Sequence, residues 1–392
     1  MKIGERYRTL SEEYHPSLVS IRRHMHQNPE LSFVEHQTSR YIAEQLRALK
    51  LEPQSIATTG LIAIIEGRDP TSRYVALRAD IDALPITEEN DVPYRSSNTG
   101  VMHACGHDAH TSCLLGAARI LQETRDHWNG TVKLLFQPGE ELDPGGASIM
   151  VKEGALLNPR PERIYALHVD PRLEVGKLSF HAGTTMASCD DITITVTADG
   201  GHAAAPHLSA DPIAISAQLI VSLQQIVSRR NNPFNPTVLT FGAIQGGSAN
   251  NVIPNLVTMR GTLRAMDETW RERAIKLLTD QSEQIVSALG ARATVKVLRG
   301  YPCVVNDPEV TQQGRSRATE LWGDSSIVNG SPRMGSEDFS FYAQVIPGCF
   351  FRLGTGNEAR GIVHNIHTSR FDIDERALAI GAATMAYLGA VG

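Results

Sequence analysis

Short apolar runs alternate with longer amphipathic stretches along the first 186 residues and again after residue 300. Five short runs have the length and composition of buried strands: GLIAIIEG, YVALRAD, TVKLLFQ, RIYALHV and, later, CFFRLG. Stretches such as HQTSRYIAEQLRALKL and DAHTSCLLGAARILQETRD carry apolar residues at helical spacing. This alternation predicts an α/β domain with a mainly parallel sheet that is covered by helices on both faces.

The pattern changes between residues 187 and 300. DITITVTA, TVLTFGAIQGG and NLVTMRGTLRA alternate with a period of two, which is typical of strands exposed on one face. Two amphipathic helices and a last strand, ATVKVLRG, complete the order β-α-β-β-α-β. That order is the split βαβ, or ferredoxin-like, arrangement. We therefore predict an α+β domain of residues 187–300, inserted into an α/β domain that is built from residues 1–186 and 301–392.

Composition and charge exclude several classes of function. The chain has 392 residues and a net charge of −6, so it has no electrostatic footprint for nucleic acid. No apolar run approaches membrane-spanning length, and the polar start lacks the apolar core of a secretory signal. The five cysteines are scattered and odd in number, which argues against a disulfide framework. These features predict a cytoplasmic protein without nucleic-acid or membrane partners.

Polar side chains recur where the predicted strands end. They are Asp80, Asp82, Glu140, Glu141, His168 and, in the loop after CFFRLG, His364 and His367. The stretch HACGHDAH precedes a helix, so its side chains lie at the N-terminal end of that helix. Ligands of open α/β sheets bind at the carboxyl ends of strands. We therefore expect these separate segments to converge on one edge of one sheet.

Cysteine, histidine and carboxylate side chains together are typical ligands of zinc or a neighbouring d-block divalent ion. Cys105 and His107 are two residues apart, so both can face the same ion pair from an extended loop. Five ligands exceed the needs of one tetrahedral zinc, so two ions that share a ligand are predicted, as in hydrolytic sites with ions about 3.5–4 Å apart. The candidate ligands are Cys105, His107, Glu141, His168 and His367.

The adjacent glutamates favour two different roles. Neighbouring side chains point in different directions, so Glu141 can bind metal while Glu140 faces the substrate. Glu140 is then the predicted general base, which takes a proton from the attacking water and hands it to the departing amine. General acid–base help of this kind contributes typically ~10²–10⁴-fold.

Each of these residues also has an ordinary structural explanation. Cys105 alone would be a small core residue, and an isolated glutamate pair would be a solvated charge pair. Asp80 could simply cap a turn, and SPRMGSEDF could be a helix cap. His103 and His110 are either orienting partners of the ligands or polar groups at a helix start, and the sequence favours neither.

Nine motifs, in order, resemble one known family. The chain is similar to the metal-dependent amidohydrolases that include hippurate hydrolase, N-acyl-L-amino-acid amidohydrolase (aminoacylase) and the plant indoleacetyl-amino-acid hydrolases. The likeness runs from about residue 20 to residue 375. The motifs are LRADIDALP, GVMHACGHDAHT, FQPGEE, GGASIMVKEGAL, ALHV, GGHAAAPH, NVIP, MGSEDFSFY and HTSRFDIDE.

The resemblance implies a catalytic α/β domain with a binuclear metal site and an inserted lid domain that forms a homodimer. It implies the ligand set given above, Glu140 as the base, and two divalent ions, either manganese or zinc, with cobalt or nickel as alternatives. His202 in GGHAAAPH would polarise the scissile carbonyl, from its own chain or from a partner subunit. Asn251 would contact the substrate, and Arg264 is a weaker candidate for its carboxylate.

Two positions depart from the more distant aminopeptidase-like relatives. Those relatives carry a histidine two residues before the aspartate of the first motif, where this chain has Arg78. They also bridge their metals with aspartate, where this chain offers Cys105. Asp80 keeps an expected role in orienting a ligand histidine.

The predicted activity is hydrolysis of the amide bond of N-acyl-L-amino acids, hippurate-like or N-acetyl, to a carboxylate and a free amino acid. The alternative on the same scaffold is a dipeptidase or an N-acetyl-diaminopimelate-type deacetylase. A third hypothesis, from another class, is a catalytically inactive, metal-stabilised binding protein. Glu140 argues against it, because a binding protein needs no base beside a full ligand set.

Overall fold

The computed structural model describes residues 2–392, which form two compact units. The larger unit contains the described residues as far as Gly183, together with Val305–Pro332 and Asp338–Gly392. The smaller unit contains Thr184–Val304 and Arg333–Glu337. Each unit has a hydrophobic core of its own.

The described residues form sixteen strands and nine α-helices. The strands are β1 (Gln54–Ile56), β2 (Gly60–Glu66), β3 (Tyr74–Asp80), β4 (Thr131–Gln137), β5 (Arg163–Glu174), β6 (Leu178–Phe180), β7 (Gly183–Met186), β8 (Asp190–Thr197), β9 (Gly201–His202), β10 (Thr237–Gly246), β11 (Val252–Ile253), β12 (Leu256–Ala265), β13 (Arg292–Arg299), β14 (Val304–Asn306), β15 (Ile327–Asn329) and β16 (Gly348–Gly356). The helices are α1 (Ile3–Gln27), α2 (His36–Ala48), α3 (His107–Glu123), α4 (Gly146–Lys152), α5 (Pro212–Gln225), α6 (Glu268–Ala288), α7 (Pro308–Trp322), α8 (Ser340–Ala343) and α9 (Ala377–Val391).

The larger unit is built around an eight-stranded sheet in the order β1-β2-β4-β3-β5-β16-β6-β15. Strand β3 pairs in parallel with β4 and β5, and β16 pairs in parallel with β5. Antiparallel pairs occur where β1, β2 and β4 meet at one side and where β16 meets β6. The predicted α/β fold with a mainly parallel sheet is therefore confirmed.

Helices cover this sheet on both faces. Successive side chains of a strand point to opposite faces, so neighbouring residues of β16 report on both. Phe351 lies in the main core with Leu378 and Ala382 of α9. Phe350 points the other way and contacts Phe339, next to α8, with 5.4 Å between the ring centroids. Because both faces are covered, the strands are apolar along almost their whole length.

The smaller unit contains a four-stranded antiparallel sheet in the order β10-β12-β8-β13. Its elements follow the chain as β8-α5-β10-β12-α6-β13, which confirms the predicted βαββαβ arrangement. Leu219 of α5 and Leu278 of α6 join Ile194 and Met259 of the sheet in one core, so the helices cover a single face. Strands β9 and β11 form a separate two-stranded sheet.

Within residues 2–392, no helix combines the length and apolar character that are needed to cross a bilayer.

Candidate metal centre

His107 opens α3 and presents one unbonded ring nitrogen to the site. The helix starts there because Gly106 adopts a left-handed conformation, with φ 88°, and a Cβ at Gly106 would come within 2.5 Å of the Val169 side chain. The Nδ1 atom of His107 lies 3.1 Å from Oδ1 of Asp82. Its Nε2 atom is buried and has no hydrogen-bond partner among the described residues.

The electrostatics around His107 favour a positive charge. Burial lowers the pKa of His107, but the carboxylates of Asp80 and Asp82 outweigh burial and raise the pKa to about 10. Those carboxylates would stabilise a bound cation for the same reason that they stabilise the protonated ring. A third acidic neighbour, Glu141, has its Oε1 atom 3.9 Å from Nε2 of His107.

His168 lies within β5, close to the edge where β3 and β4 end. Its Nδ1 atom donates a hydrogen bond to the Val169 carbonyl at 2.7 Å, which leaves Nε2 with a lone pair. That Nε2 atom lies 3.5 Å from Sγ of Cys105. Burial holds the pKa of His168 well below its ordinary value, so the ring is neutral, as a metal ligand must be.

His367 and Glu141 complete the group around Cys105. The Nε2 atom of His367 lies 3.3 Å from Sγ of Cys105 and 3.2 Å from Oε1 of Glu141. The His367 backbone adopts a φ of 63° and donates its N–H to the Ala104 carbonyl at 2.8 Å. Burial raises the pKa of the Cys105 thiol well above its ordinary value, and Glu141 raises it further, so deprotonation here depends on a nearby cation.

The structure brings all five predicted ligands together. Nε2 of His107 is buried without a hydrogen-bond partner in the described part of the chain, as expected of an atom whose partner is a metal. Sulfur, imidazole and carboxylate donors in this number fit two divalent ions, and Cys105 belongs to two of the donor groups. Within 4.8 Å of one another lie the donor atoms of Cys105, His107 and His168, of Cys105, Glu141 and His367, and of His107, Glu140 and Glu141.

His110 lies beside the site with both ring nitrogens in use. Its Nδ1 atom is 2.6 Å from Oδ1 of Asp80, and its Nε2 atom accepts the Val169 N–H at 2.9 Å. Because neither nitrogen is free, His110 supports the strand that carries His168. Burial raises the pKa of Asp80, but His107, His110 and Arg78 outweigh it and hold the pKa well below its ordinary value.

His103 differs from His110 in its hydrogen bonds, although the sequence pattern gave the same two alternatives for both residues. It is fully buried, and neither ring nitrogen has a hydrogen-bond partner among the residues that the structure describes. Burial lowers the pKa of His103 to about 4, so the ring is neutral.

Asp82 is the carboxylate that holds a predicted ligand histidine, a role that the sequence did not assign to it. Asp80 was expected in that role, yet Asp80 contacts His110, and its Oδ2 atom stays 3.7 Å from Nε2 of His107. Asp82 holds Nδ1 of His107 and also accepts the Glu141 N–H at 3.0 Å. The available signal was the pair Asp80-x-Asp82 directly after a buried strand, since two residues on is the same side of an extended chain.

Arg78, which stands where distant relatives have a histidine, joins Asp80 to Asp338 through hydrogen bonds of its guanidinium. It is fully buried and donates to Oδ2 of Asp80 at 2.7 Å, to Oδ1 of Asp338 at 2.9 Å and to the Gln137 side chain at 2.8 Å. Asp338, for which the sequence offered a helix cap, also accepts the Ala147 N–H at 2.9 Å.

The remaining predicted site residues lie in the smaller unit. His202 pairs with Val252 between β9 and β11, is exposed, and accepts the Ala204 N–H on its Nδ1 atom at 3.0 Å. Asn251 is exposed one residue before β11, and its carbonyl accepts the Ala203 N–H at 3.1 Å. Arg264 of β12 is half-buried and donates to Oγ of Ser336 at 2.9 Å.

Comparisons with known proteins place this chain among hydrolases. Residues 76–389 match the profile of peptidase family M20/M25/M40. N-acetyl-L-cysteine deacetylase of Bacillus subtilis is 40% identical over 380 residues, which cover 94% of this chain and 88% of that protein. IAA-amino acid hydrolase ILR1-like 2 of Arabidopsis thaliana is 39% identical over 376 residues, which cover 95% and 84%. The solved structure of Bacillus subtilis YXEP protein, described as a dinuclear metal binding peptidase from the M20 family, superposes with a TM-score of 0.85 at 33% identity and covers 97% of this chain and 98% of that one.

Proposed function

The chain belongs to peptidase family M20/M25/M40, as its motifs indicated, and we propose that this metal-dependent amide hydrolase acts on N-acyl-L-amino acids. The products would be a carboxylate and a free amino acid. Two relatives support this substrate class by their names, one a deacetylase of N-acetyl-L-cysteine and the other a hydrolase of IAA-amino acids. The observation that carries the proposal is the buried carboxylate of Glu140 beside a converged set of metal-ligand atoms.

Cys105, His107, Glu141, His168 and His367 would hold two divalent ions, which we propose to be zinc or manganese, with cobalt or nickel as the alternatives. When bound, the ions would polarise the amide carbonyl and lower the pKa of the attacking water. Glu140 has a carboxylate oxygen within 4.8 Å of donor atoms of His107 and Glu141, so it can take the water's proton. Glu140 would then deliver that proton to the leaving amine nitrogen, while His202 donates a hydrogen bond to the carbonyl oxygen.

Two neighbouring glutamate variants test the division of roles. We expect Glu140→Gln to keep the wild-type metal content and to lose turnover by ~10²–10⁴-fold, because the amide cannot accept the proton. Glu141→Gln is the matched control, in which both metal content and turnover should fall. Elemental analysis and steady-state kinetics on the same preparations give both quantities. Wild-type turnover by Glu140→Gln would show that this residue is not the base.

The substrate class is tested by a panel of N-acetyl, N-benzoyl and indoleacetyl amino acids with dipeptides alongside, each assayed with zinc, manganese, cobalt or nickel. We expect the N-acyl amino acids to give the highest kcat/KM. Faster hydrolysis of dipeptides would replace the proposal with a dipeptidase. Tight binding of a panel compound without turnover, under every metal, would favour the inactive binding protein.

We also propose that the smaller unit serves as a lid and forms a homodimer. Strand β10 is an edge of its sheet, and Val238 and Ile244 on that strand are exposed, so an edge is available for a second copy. If His202 acts across such a dimer, mixing His202→Ala with Glu140→Gln should give more activity than either variant alone. No recovery would assign His202 to its own chain. None of the five cysteines, all of which lie in the described part of the chain, forms a disulfide, which supports a reducing, cytoplasmic location.

A further inference from the structure

Residues 30–35, with the sequence ELSFVE, form a segment that runs beside the proposed base; we call it the bracket segment. It is docked on the loop that follows β3. Leu31 forms a parallel bridge with Ala83, and the Ala83 N–H donates to the Glu30 carbonyl at 2.8 Å. The bracket segment thus has a fixed position relative to the end of β3, where Asp80 and Asp82 lie.

Glu35 is fully buried and contacts the loop that carries Glu140. One of its carboxylate oxygens accepts the Gly139 N–H at 2.8 Å. The other accepts the Thr59 hydroxyl at 2.6 Å. Both oxygens are therefore used, and one of them holds the backbone directly before the base.

Phe33 packs on the same residue of that loop. Its backbone has a φ of 64°, which is unusual for a side chain of this size. Gly139 has a φ of 58°, and a Cβ added there would come within 2.4 Å of the Phe33 ring. The ring and the loop backbone are thus in direct contact, and only glycine fits between them.

Ser32 reaches the other side of Glu140 through Asp82. Its hydroxyl donates to Oδ2 of Asp82 at 2.7 Å, and the same oxygen accepts the Glu141 N–H at 3.0 Å. The backbone amides on both sides of Glu140 are therefore held by carboxylates that the bracket segment supplies or supports.

We propose that Glu35 is a positioning residue for Glu140, and this inference rests on the proposed role of Glu140 as the base. A proton acceptor must lie within hydrogen-bond reach of the water, and a displacement of about 1 Å can cost about 10²-fold in rate. The Gly139 amide has its partner in Glu35, so loss of that carboxylate frees the loop at the residue before the base. The hydrogen bonds of the Glu35 carboxylate go to Gly139 and Thr59, neither of which is a predicted metal ligand, so metal binding should be preserved.

The test compares Glu35→Ala with Glu35→Gln, using the best substrate of the panel above. We expect Glu35→Ala to lower kcat by about 10–10²-fold, with KM within about threefold and metal content unchanged. Glu35→Gln should restore kcat to within about threefold of wild type, because its amide oxygen can accept the Gly139 N–H and its amide nitrogen can donate to Thr59. If Glu35→Ala is recovered unfolded, Glu35→Asp replaces it, since a side chain one methylene shorter cannot reach both partners.

Thr59→Val is the matched control. It removes the other hydrogen bond of the same buried carboxylate but leaves the Gly139 contact, so kcat should stay within about threefold of wild type although the protein becomes less stable. Equal losses of kcat in Glu35→Ala, Glu35→Gln and Thr59→Val would overturn the inference, as would a loss confined to KM or to metal content. If Glu140→Gln is inactive while Glu35→Ala is fully active, only the positioning role fails. Full activity of Glu140→Gln would remove the base and the positioning role together.

Discussion

Two candidate histidines of the larger unit are buried and fixed by their neighbours, whereas two candidate residues of the smaller unit are open to solvent. His107 is buried and held on one ring nitrogen by Asp82, and His168 is buried and held by the Val169 carbonyl. His202 and Asn251 are exposed and have local backbone contacts.

The two proposed roles, metal binding in the larger unit and substrate contact in the smaller unit, account for this difference. Side chains that hold a doubly charged ion need their ligand atoms held in fixed positions, which requires second partners for their remaining atoms. Side chains that meet a substrate must be reachable by it. We therefore expect changes around the metal ligands to alter stability or metal affinity, and changes at the exposed residues to alter kinetics alone.

The largest expected effect on stability is at Arg22 of α1, which contacts Asp108 in the HACGHDAH stretch. Its guanidinium is fully buried and donates to Asp108 at 2.9 Å, Asp372 at 2.8 Å and Glu375 at 3.3 Å. Arg22→Met would leave buried carboxylates without their cation, and breaking a buried pair in this way costs about 3–5 kcal/mol. Urea denaturation of the metal-loaded protein measures the loss. A loss below about 1 kcal/mol would show that the network does not hold this region together.

A buried arginine of the smaller unit gives the matched comparison. Arg271 makes two hydrogen bonds to the carboxylate of Asp190, at 2.8 Å and 2.6 Å. Arg271→Met should destabilise the smaller unit by a similar amount, about 3–5 kcal/mol, because it also strands a buried carboxylate. Metal content should remain that of wild type. A loss of metal in Arg271→Met would show that metal binding depends on the stability of the smaller unit.

A smaller effect is expected at Asp82, where metal affinity is the quantity that changes. Asp82→Ala releases Nδ1 of His107 and the Glu141 N–H together. Loss of such an orienting partner typically lowers metal affinity about 10–100-fold. Competition with a chelator of known affinity measures the change. Unchanged affinity would mean that α3 alone holds His107 in place.

In the larger unit, a buried histidine, His26, should also make the stability depend on pH. Its Nδ1 atom lies 2.8 Å from Asp108, and its Nε2 atom lies 3.2 Å from Glu88. Burial and the charge of Arg22 lower the pKa of His26, but Asp108 and Glu88 outweigh them and raise it above its ordinary value.

A raised pKa in the folded state stabilises the protein fully below the unfolded value of about 6.5 and progressively less as the pH rises through the folded value. The difference in unfolding free energy between wild type and His26→Gln should therefore be largest below a pH of about 6.5 and should shrink above it. Denaturation series across this range measure it. A difference that is independent of pH would show that His26 does not gain a proton on folding.

The smallest effect on stability is expected for His202→Ala. The side chain is exposed, so the unfolding free energy should change by less than about 0.5 kcal/mol. Turnover should fall by about 10²–10³-fold if His202 donates to the developing oxyanion. Calorimetry and kinetics on one preparation separate the two quantities. A large loss of stability would mean that His202 has a structural role.

Most of the fold could be predicted, because each helix or strand buries apolar side chains that recur at a fixed spacing along the sequence. The period-two pattern of DITITVTA and the helical spacing of DAHTSCLLGAARILQETRD were sufficient to predict β8 and α3. The donor types at strand ends, together with the motifs, were sufficient to predict which side chains would gather, since parallel strands end at a common edge.

Which side chain supports which ligand could not be predicted, because those contacts join segments that are distant along the chain. Asp80 and Asp82 are equivalent in the sequence pattern. In the folded chain Asp80 contacts His110 and Asp82 contacts His107, because of the path that the loop after β3 takes. Glu35 lies 104 residues before Gly139, and no local pattern indicates that pairing. Local periodicity encodes what a residue must bury, whereas a hydrogen bond between distant residues depends on an alignment of a few tenths of an ångström that exists only after the whole unit has folded.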